Sequence, residues 1–287
     1  LDLAGELVQR KQIKSLSFGI VCYDTPNSEL QQLIDSLLTA IDYLRKQQTL
    51  SEVIIYLLDN SELPTISRDT FDQQQEGIKK LGVELRYIHG HGNIGYGRAQ
   101  NLIIKALTTD LHTILNPDIS LEKDALAEGV RVFMTNPSVV MLSPSAKDFS
   151  GGKQYLCKRY PSILTLFVRG FLPKALQSTF RKRLDRYEMH DLSESTVSEN
   201  IQLASGCFML ADTQALQKVG GFDEKYFLYF EDFDLSLRIQ RLGLLVYAPS
   251  VRITHKGGEA ARKGLRHISF FINSGVKFFS SHGWRFI

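Results

Sequence analysis

Two rhythms of apolar and polar positions alternate along the first half of this chain. Residues 16–23 (LSFGIVCY) form an unbroken apolar run of strand length, closed by Pro26, Asn27 and Ser28. Leu30, Leu33, Ile34, Leu37, Leu38, Ile41 and Leu44 then recur every three or four positions, which predicts an amphipathic helix over 29–46. Ser28 and Gln31 stand at capping-box spacing at its start. A second buried strand is predicted at 52–58, ending in Asp59-Asn60-Ser61. A third, 83–88, leads through the glycine-rich stretch 90–97 into a helix ending near Leu107. A fourth, 111–115, ends in Asn116-Pro117-Asp118; a helix to about Met134 and a strand at 139–143 follow. Strand and helix in turn predict an α/β fold with a mostly parallel central sheet flanked by helices. Ligands of such sheets bind at the carboxyl ends of strands. Tyr23-Asp24, Asp59-Asn60, Asn93 and Asn116–Asp118 all fall at those ends.

The pattern degrades from Gly151 to about Asn200. A strand is predicted at 202–210, a short helix at 213–219 and strands at 244–248 and 251–255. Ile268, Phe271, Ile272, Val276 and Phe279 predict a terminal helix that packs on the body or on a partner. The expected organisation is an N-terminal extension (1–14), a main domain (15–258) and a C-terminal helical appendage (259–287). Within the main domain, 145–200 reads as an insertion facing an acceptor or a membrane.

Composition narrows the class. Of 287 residues, 43% are hydrophobic and 23% charged, which fits a globular protein rather than a disordered or fibrous one. The net charge of +3 is too small to argue for nucleic acid. Three dispersed cysteines, Cys22, Cys157 and Cys207, make no zinc or redox spacing and suit a reducing compartment. No apolar run approaches the ~20 residues of a membrane span and no signal peptide is evident, so a cytoplasmic location is expected. The chain starts at Leu1 rather than Met, so a longer parent protein is expected. Between Gly152 and Leu184 lie eight Lys or Arg and no acid, interleaved with residues such as Phe167, Val168 and Phe171. That mixture suits peripheral contact with an anionic leaflet on the inner face of the cell membrane; a solvated loop is the alternative.

The densest chemistry lies in GGFDEKYFLYFEDFDLSLR, residues 220–238, where Asp223, Glu224, Glu231, Asp232 and Asp234 crowd among aromatic residues. Carboxylates held against apolar walls need a cation, a donor or a proton. Glu231 and Asp232 would open a helix that Gly243 stops, where the dipole favours negative charge. A poised base is the reading for that pair, and a simple helix cap for Asp234. Asp118, presented on a proline-stiffened turn, can give oxygens to a hard cation. His255, before Lys256-Gly257-Gly258, can bind a divalent metal or be a surface histidine. HGNIGYGRAQN (91–101) fails the dinucleotide spacing, which argues against an oxidoreductase. It either aims Arg98 and helix N–H groups at a phosphate or is a plain glycine turn.

Taken in order, VCYDTPN (21–27), LLDNS (57–61), GNIGYGRAQN (92–101), LNPD (115–118), SGCFML (205–210), the acidic segment and HKGG (255–258) resemble the inverting glycosyltransferases of family 2, with the GT-A fold. Within that family the sequence is most similar to bacterial rhamnosyltransferases of O-antigen and related lipopolysaccharide glycans. The resemblance covers about 16–258. It implies a nucleoside-diphosphate sugar donor, dTDP-rhamnose above all, a glycan or lipid-linked glycan acceptor, and a divalent metal, Mg²⁺ or Mn²⁺. Asp59 then reads the base with Tyr23 nearby, and Asn93, Gly95, Arg98, Asn116 and Asp118 complete the donor site. Asn116 stands where many relatives carry a first aspartate. Asp118 and His255 match the metal ligands, and Asp232, paired with Glu231, matches the general base. Phe222, Asp223, Glu224 and Tyr229 are expected at the acceptor. A UDP-sugar donor (galactofuranose or a hexose), a non-catalytic nucleotide- or glycan-binding module, and a fused or partner glycosyltransferase domain stay open.

Overall fold

The computed structural model describes residues 12–199, 201–257 and 264–287. Residues 1–11 of the expected extension, and the expected boundary at 258/259, lie outside the described residues. The first half follows the predicted rhythm, with a short α2 that the spacing does not predict: β1 (Ser15–Cys22), α1 (Asn27–Arg45), β2 (Glu52–Asp59), α2 (Gln75–Lys80), β3 (Glu84–Ile88), α3 (Tyr96–Ile104) and β4 (Leu111–Leu115). Then come β5 (Ile119–Leu121), α4 (Ala125–Thr135) and β6 (Val139–Lys147). The stretch without clear pattern holds short elements: β7 (Lys153–Gln154), β8 (Cys157–Lys158), α5 (Ile163–Phe171), α6 (Lys174–Gln177) and α7 (Arg181–Tyr187). The chain closes with β9 (Leu203–Ala204), β10 (Phe208–Asp212), α8 (Thr213–Lys218), α9 (Glu231–Ile239), β11 (Leu244–His255) and α10 (Leu265–His282).

The main sheet runs β3-β2-β1-β4-β10-β6-β11-β5, with β7 on β6. Its first four strands are parallel, which is why β1, β2 and β4 are nearly continuous apolar runs covered on both faces. β10 enters antiparallel to both neighbours, so the sheet is mixed beyond β4. One face packs on α1 and α4 through Leu33, Leu37, Leu126 and Phe133; the other packs on α3, α8 and α9 through Ile103, Leu216 and Leu235. A third cluster, with Tyr187, Tyr226, Phe230 and Phe278, fastens α10 to the lead-in of α9.

Three local expectations fail for identifiable reasons. The Ser28–Gln31 capping box does not form: α1 starts two residues earlier, after Pro26, whose carbonyl accepts from Glu29 and Leu30 N–H. Proline's fixed φ suits a helix start without a side-chain cap. Gln31 instead donates Nε2 to Thr70 O at 2.7 Å. The helix expected directly after Asp118 is preceded by β5, because Ile119 and Leu121 are buried against β11. The strand expected at 202–210 splits at Ser205–Cys207, and its halves join different sheets.

Candidate active site

Strand register gathers distant residues at one edge of the sheet. Cys22 pairs with Asp59 and Ile20 with Leu115, so Tyr23, Asn60 and Asn116 emerge side by side. β10 arrives from the opposite direction, with Phe208 opposite Leu115, and Asn116 N–H donates to Cys207 O at 2.9 Å. The antiparallel pair Ile119–His255 sets His255 beside Asp118. A cleft of about 440 Å³ opens here, and Tyr23, Asn93, Gly95, Asn116 and Asp118 all line it. Its far wall comes from Phe227 and from Arg266, His267 and Phe270 of α10.

Asp118 and His255 face each other with Oδ2 and Nε2 3.5 Å apart. Gln154 fixes the imidazole. Its Nε2 donates to His255 O at 2.9 Å, which turns Oε1 toward Nδ1 at 2.7 Å. Nδ1 therefore donates, and the lone pair of Nε2 points at the Asp118 carboxylate. Burial holds the His255 pKa below its ordinary value against the pull of Asp118, so the neutral ring is favoured. Oδ1 of Asp118 is buried with no hydrogen-bond partner among the described residues. Two facing lone-pair donors, one of them otherwise unsatisfied, fit a cation between them. Among the described residues no third His, Cys, Asp or Glu joins the pair. The remaining ligands of a metal here would be substrate oxygens or water.

Glu231 and Asp232 open α9, directly after Tyr229 and Phe230, which both adopt left-handed backbone (φ 70° and 64°). Such strain in bulky residues is costly and concentrates at functional sites. Asp232 accepts from Gly206 N–H at 3.0 Å and Phe233 N–H at 2.9 Å. Glu231 is buried and its Oε2 has no partner among the described residues. Burial, then the neighbouring Asp232 charge, pushes the Glu231 pKa up to about 8. Burial also raises Asp232, against the pull of its backbone donors. Asp232, with two donors, therefore ionises first, and Glu231 keeps the proton at neutral pH.

Ser205-Gly206-Cys207 joins the two centres: Gly206 holds Asp232, and Cys207 O holds Asn116 two residues before Asp118. Asp232 itself is set back from the cleft, behind Tyr96, whose hydroxyl donates to Gly206 O at 3.0 Å. Tyr96 lines the cleft. Gly95 before it has φ 88°, and a Cβ there would lie 2.5 Å from Phe227 O, so the loop admits only glycine.

Other expected residues are placed differently. Asp59 is buried at the strand edge but does not line the cleft; Asn60 does. Its carboxylate accepts from Ser61, Thr65 and Ile66 N–H and from Tyr87 Oη. Arg98 is exposed and donates Nε to Glu224 O at 2.9 Å, outside the cleft lining. Phe222 is a core residue, clamped by Asn101 through its N–H and C=O at 2.8 Å each. Asp223 pairs with Lys225 and Glu224 with Lys105. Tyr229 Oη lies 2.8 Å from His267 Nδ1, on the wall that α10 contributes. Asp234, read as a cap, is instead buried between Arg238 (2.6 Å) and His282 (2.7 Å). Sequence reading missed Gln154, Tyr96 and the α10 residues. Tyr96 and Gly206 stood inside recognised motifs, whereas Gln154 lay in the unpatterned stretch with no signal.

The fold is that of the GT-A glycosyltransferases. A structure of GalNAc-T7 with UDP, GalNAc and Mn²⁺ superposes with a TM-score of 0.62 at 15% identity, over 94% of this chain and 48% of that one. The chain thus spans about half the length of that enzyme. Mannosyltransferase PcManGT from Pyrobaculum calidifontis, with GDP-Man and Mn²⁺, gives 0.55 at 13% identity, over 94% and 70% of the two chains. The family model described as "Glycosyltransferase like family 2" matches residues 14–266, and the chain belongs to that family. Among curated proteins it is 27% identical over 217 residues to the N-acetylglucosaminyl-diphospho-decaprenol L-rhamnosyltransferase of Mycobacterium tuberculosis, covering 70% of this chain and 69% of that protein. It is also 27% identical over 184 residues to rhamnosyltransferase WbbL of Escherichia coli K12, covering 60% and 64%.

Proposed function

We propose that this glycosyltransferase moves L-rhamnose from dTDP-rhamnose onto a glycan or lipid-linked glycan acceptor, with inversion, in bacterial O-antigen or related polysaccharide synthesis. The observation that carries the reading is the Glu231–Asp232 pair, with Glu231 buried and Asp232 partly so, joined through Gly206 and Cys207 to the turn that presents Asp118. The two curated relatives, both rhamnosyltransferases by name, favour the sugar.

Asp232, the member of the pair that ionises first, takes the proton of the acceptor hydroxyl as its oxygen bonds to the anomeric carbon. The bond from that carbon to the diphosphate breaks on the opposite face, and the nucleoside diphosphate leaves. Glu231 keeps its proton and stays neutral beside Asp232, and the negative charge leaves with the diphosphate. On this reading the nucleotide lies against Tyr23 and Asn60, which line the cleft. Arg266, rather than Arg98, supplies a guanidinium to the cleft for the diphosphate. Asp118 and His255 would hold a divalent cation, Mg²⁺ or Mn²⁺, which when bound neutralises phosphate charge.

Incubation with dTDP-rhamnose or UDP-sugars, with and without Mn²⁺, tests the reading through released nucleoside diphosphate and the anomeric configuration of the product. Release from dTDP-rhamnose with inverted product is expected. Preference for a UDP-sugar moves the assignment to another donor, and no turnover with any donor leaves a binding module.

A further inference from the structure

Tyr96 stands between the cleft and the acidic pair, and hydrogen bonds fix its hydroxyl from two directions. Gln100 Nε2 donates to Gly19 O at 3.1 Å and to Tyr96 Oη at 3.3 Å. A carbonyl can only accept, so the first bond settles which way round the Gln100 amide lies. The Tyr96 oxygen therefore accepts from Gln100, and its own proton goes to Gly206 O at 3.0 Å. Burial foremost, and the nearby Glu231 and Asp232 charges after it, push the Tyr96 pKa up against the pull of Gln100. The hydroxyl thus keeps the proton it donates.

Gly206 passes this hold on to the acid. A Cβ on Gly206 would lie 3.2 Å from Asp232 Cβ and 3.7 Å from Tyr96 Cε1, so the residue is packed against both. Asp232 accepts from Phe233 N–H within its own helix; among the described residues, Gly206 N–H is the donor that reaches it from outside α9. A glycine turns about its backbone bonds at little cost, so Gly206 does not by itself set the direction of that N–H. The bond from Tyr96 to its carbonyl restricts the turn, and Asn116 N–H on Cys207 O holds the next residue.

We propose that Tyr96 is a positioning residue for the transfer: through Gly206, its hydroxyl holds the Asp232 carboxylate in the orientation that meets the acceptor. This rests on the reading of Asp232 as the base. The same ring lines the cleft, so one side chain touches the donor's space and sets the base behind it.

The groups around Asp232 are defined. Glu231 adjoins it on α9, and Tyr96, Tyr187 of α7 and Cys207 lie within reach of its charge, each pushed up by burial. Beyond Tyr187, Lys158 and Glu188 pair with each other at 3.4 Å. On α10, His267 lies against Tyr229 Oη and His282 against Asp234. Removing the Tyr96 hydroxyl alters none of the other groups, so they cancel from the comparison.

The test is Tyr96→Phe, which keeps the ring and removes only the hydroxyl. Protein labelled with ¹³C at its aspartate carboxyls is titrated without donor or metal, and the Asp232 signal is assigned by its loss in Asp232→Asn. With Gly206 N–H held less firmly the charged carboxylate is less favoured, so the Asp232 midpoint is expected at higher pH in Tyr96→Phe. Release of nucleoside diphosphate from dTDP-rhamnose, with water as acceptor, should fall in kcat by about 10–100-fold, the scale of an ångström-sized misplacement. Donor Kd should stay unchanged, and the acid limb of the pH profile should move upward with the midpoint. Gln100→Leu, which removes the group that orients the hydroxyl, should move the midpoint in the same direction by less, and it serves if Tyr96→Phe does not fold. Coincident titration curves for variant and unaltered chain would overturn the proposal. So would a lower kcat with an unmoved acid limb, the mark of a purely structural loss. Unaltered release in Asp232→Asn would instead sink the base assignment itself; the titration, which needs no turnover, tells the two failures apart.

Discussion

The end of β2 and the start of α9 both bury carboxylates, and they hold them in opposite states. Burial pushes Asp59 up, but three backbone N–H groups outweigh it and its pKa falls below the ordinary value. Glu231 is comparably buried with an unpartnered oxygen, and its pKa rises to about 8. Solvent exclusion is shared; the supply of donors differs. An acid saturated by backbone donors is a structural anion, whereas an under-supplied pair keeps a proton and a charge available for chemistry.

The largest effect should come from taking the titrating charge away. Asp232→Asn is expected to lose about 10²–10⁴ in turnover while keeping donor affinity, measured as nucleoside diphosphate release beside a donor titration. Near-normal transfer would remove Asp232 from the mechanism. Next is the histidine that a neighbour orients. Gln154→Ala should free the His255 ring and weaken Mn²⁺ binding by about 10–100-fold, read by calorimetry with no turnover required. Unchanged affinity would mean that the Gln154 contact does not orient a ligand.

Stability then sharpens the contrast directly. Asp59→Asn should cost about 1–3 kcal/mol in urea unfolding at neutral pH, because buried donors lose their acceptor. The stabilisation from Asp59 is present above its unfolded pKa and is lost as pH falls through the lower folded value. Glu231 has the reverse sign. Its folded form keeps a proton that the unfolded chain releases, so stability falls as pH rises from about 4.5 to about 8 and then levels. Glu231→Gln should remove that decline, and parallel pH profiles for the two variants would break the comparison. The smallest effect is expected for Tyr229→Phe. Losing the contact to His267 should cost about 1 kcal/mol, visible as a small drop in melting temperature.

The parallel half of the molecule was legible because its strands are buried on both faces and its helices on one. Hydrophobic spacing alone then marks β1, α1, β2 and β4, and the ends of these strands bring Tyr23, Asn116 and Asp118 together. Residues 151–200 were not legible. α5 to α7 are short, and apolar side chains such as Phe167, Phe171 and Leu176 are exposed rather than packed, so no core imposes a period on them. The acidic run 220–238 was visible as chemistry, but not the sorting of its members. Asp223, Glu224 and Asp234 go to ion pairs, and only Glu231 and Asp232 remain as the pair behind Tyr96.

Sequence alone determined the order of the parallel strands, the motifs at strand ends and the acidic pair at a helix start, since these depend on local spacing and residue type. Tertiary structure decided that Asp59 is saturated, that Arg98 turns out of the cleft while Arg266 enters it, and that Gln154 orients His255. Each of these depends on which distant donor or acceptor arrives within hydrogen-bond reach, and that is set by strand register and helix packing rather than by neighbours along the chain.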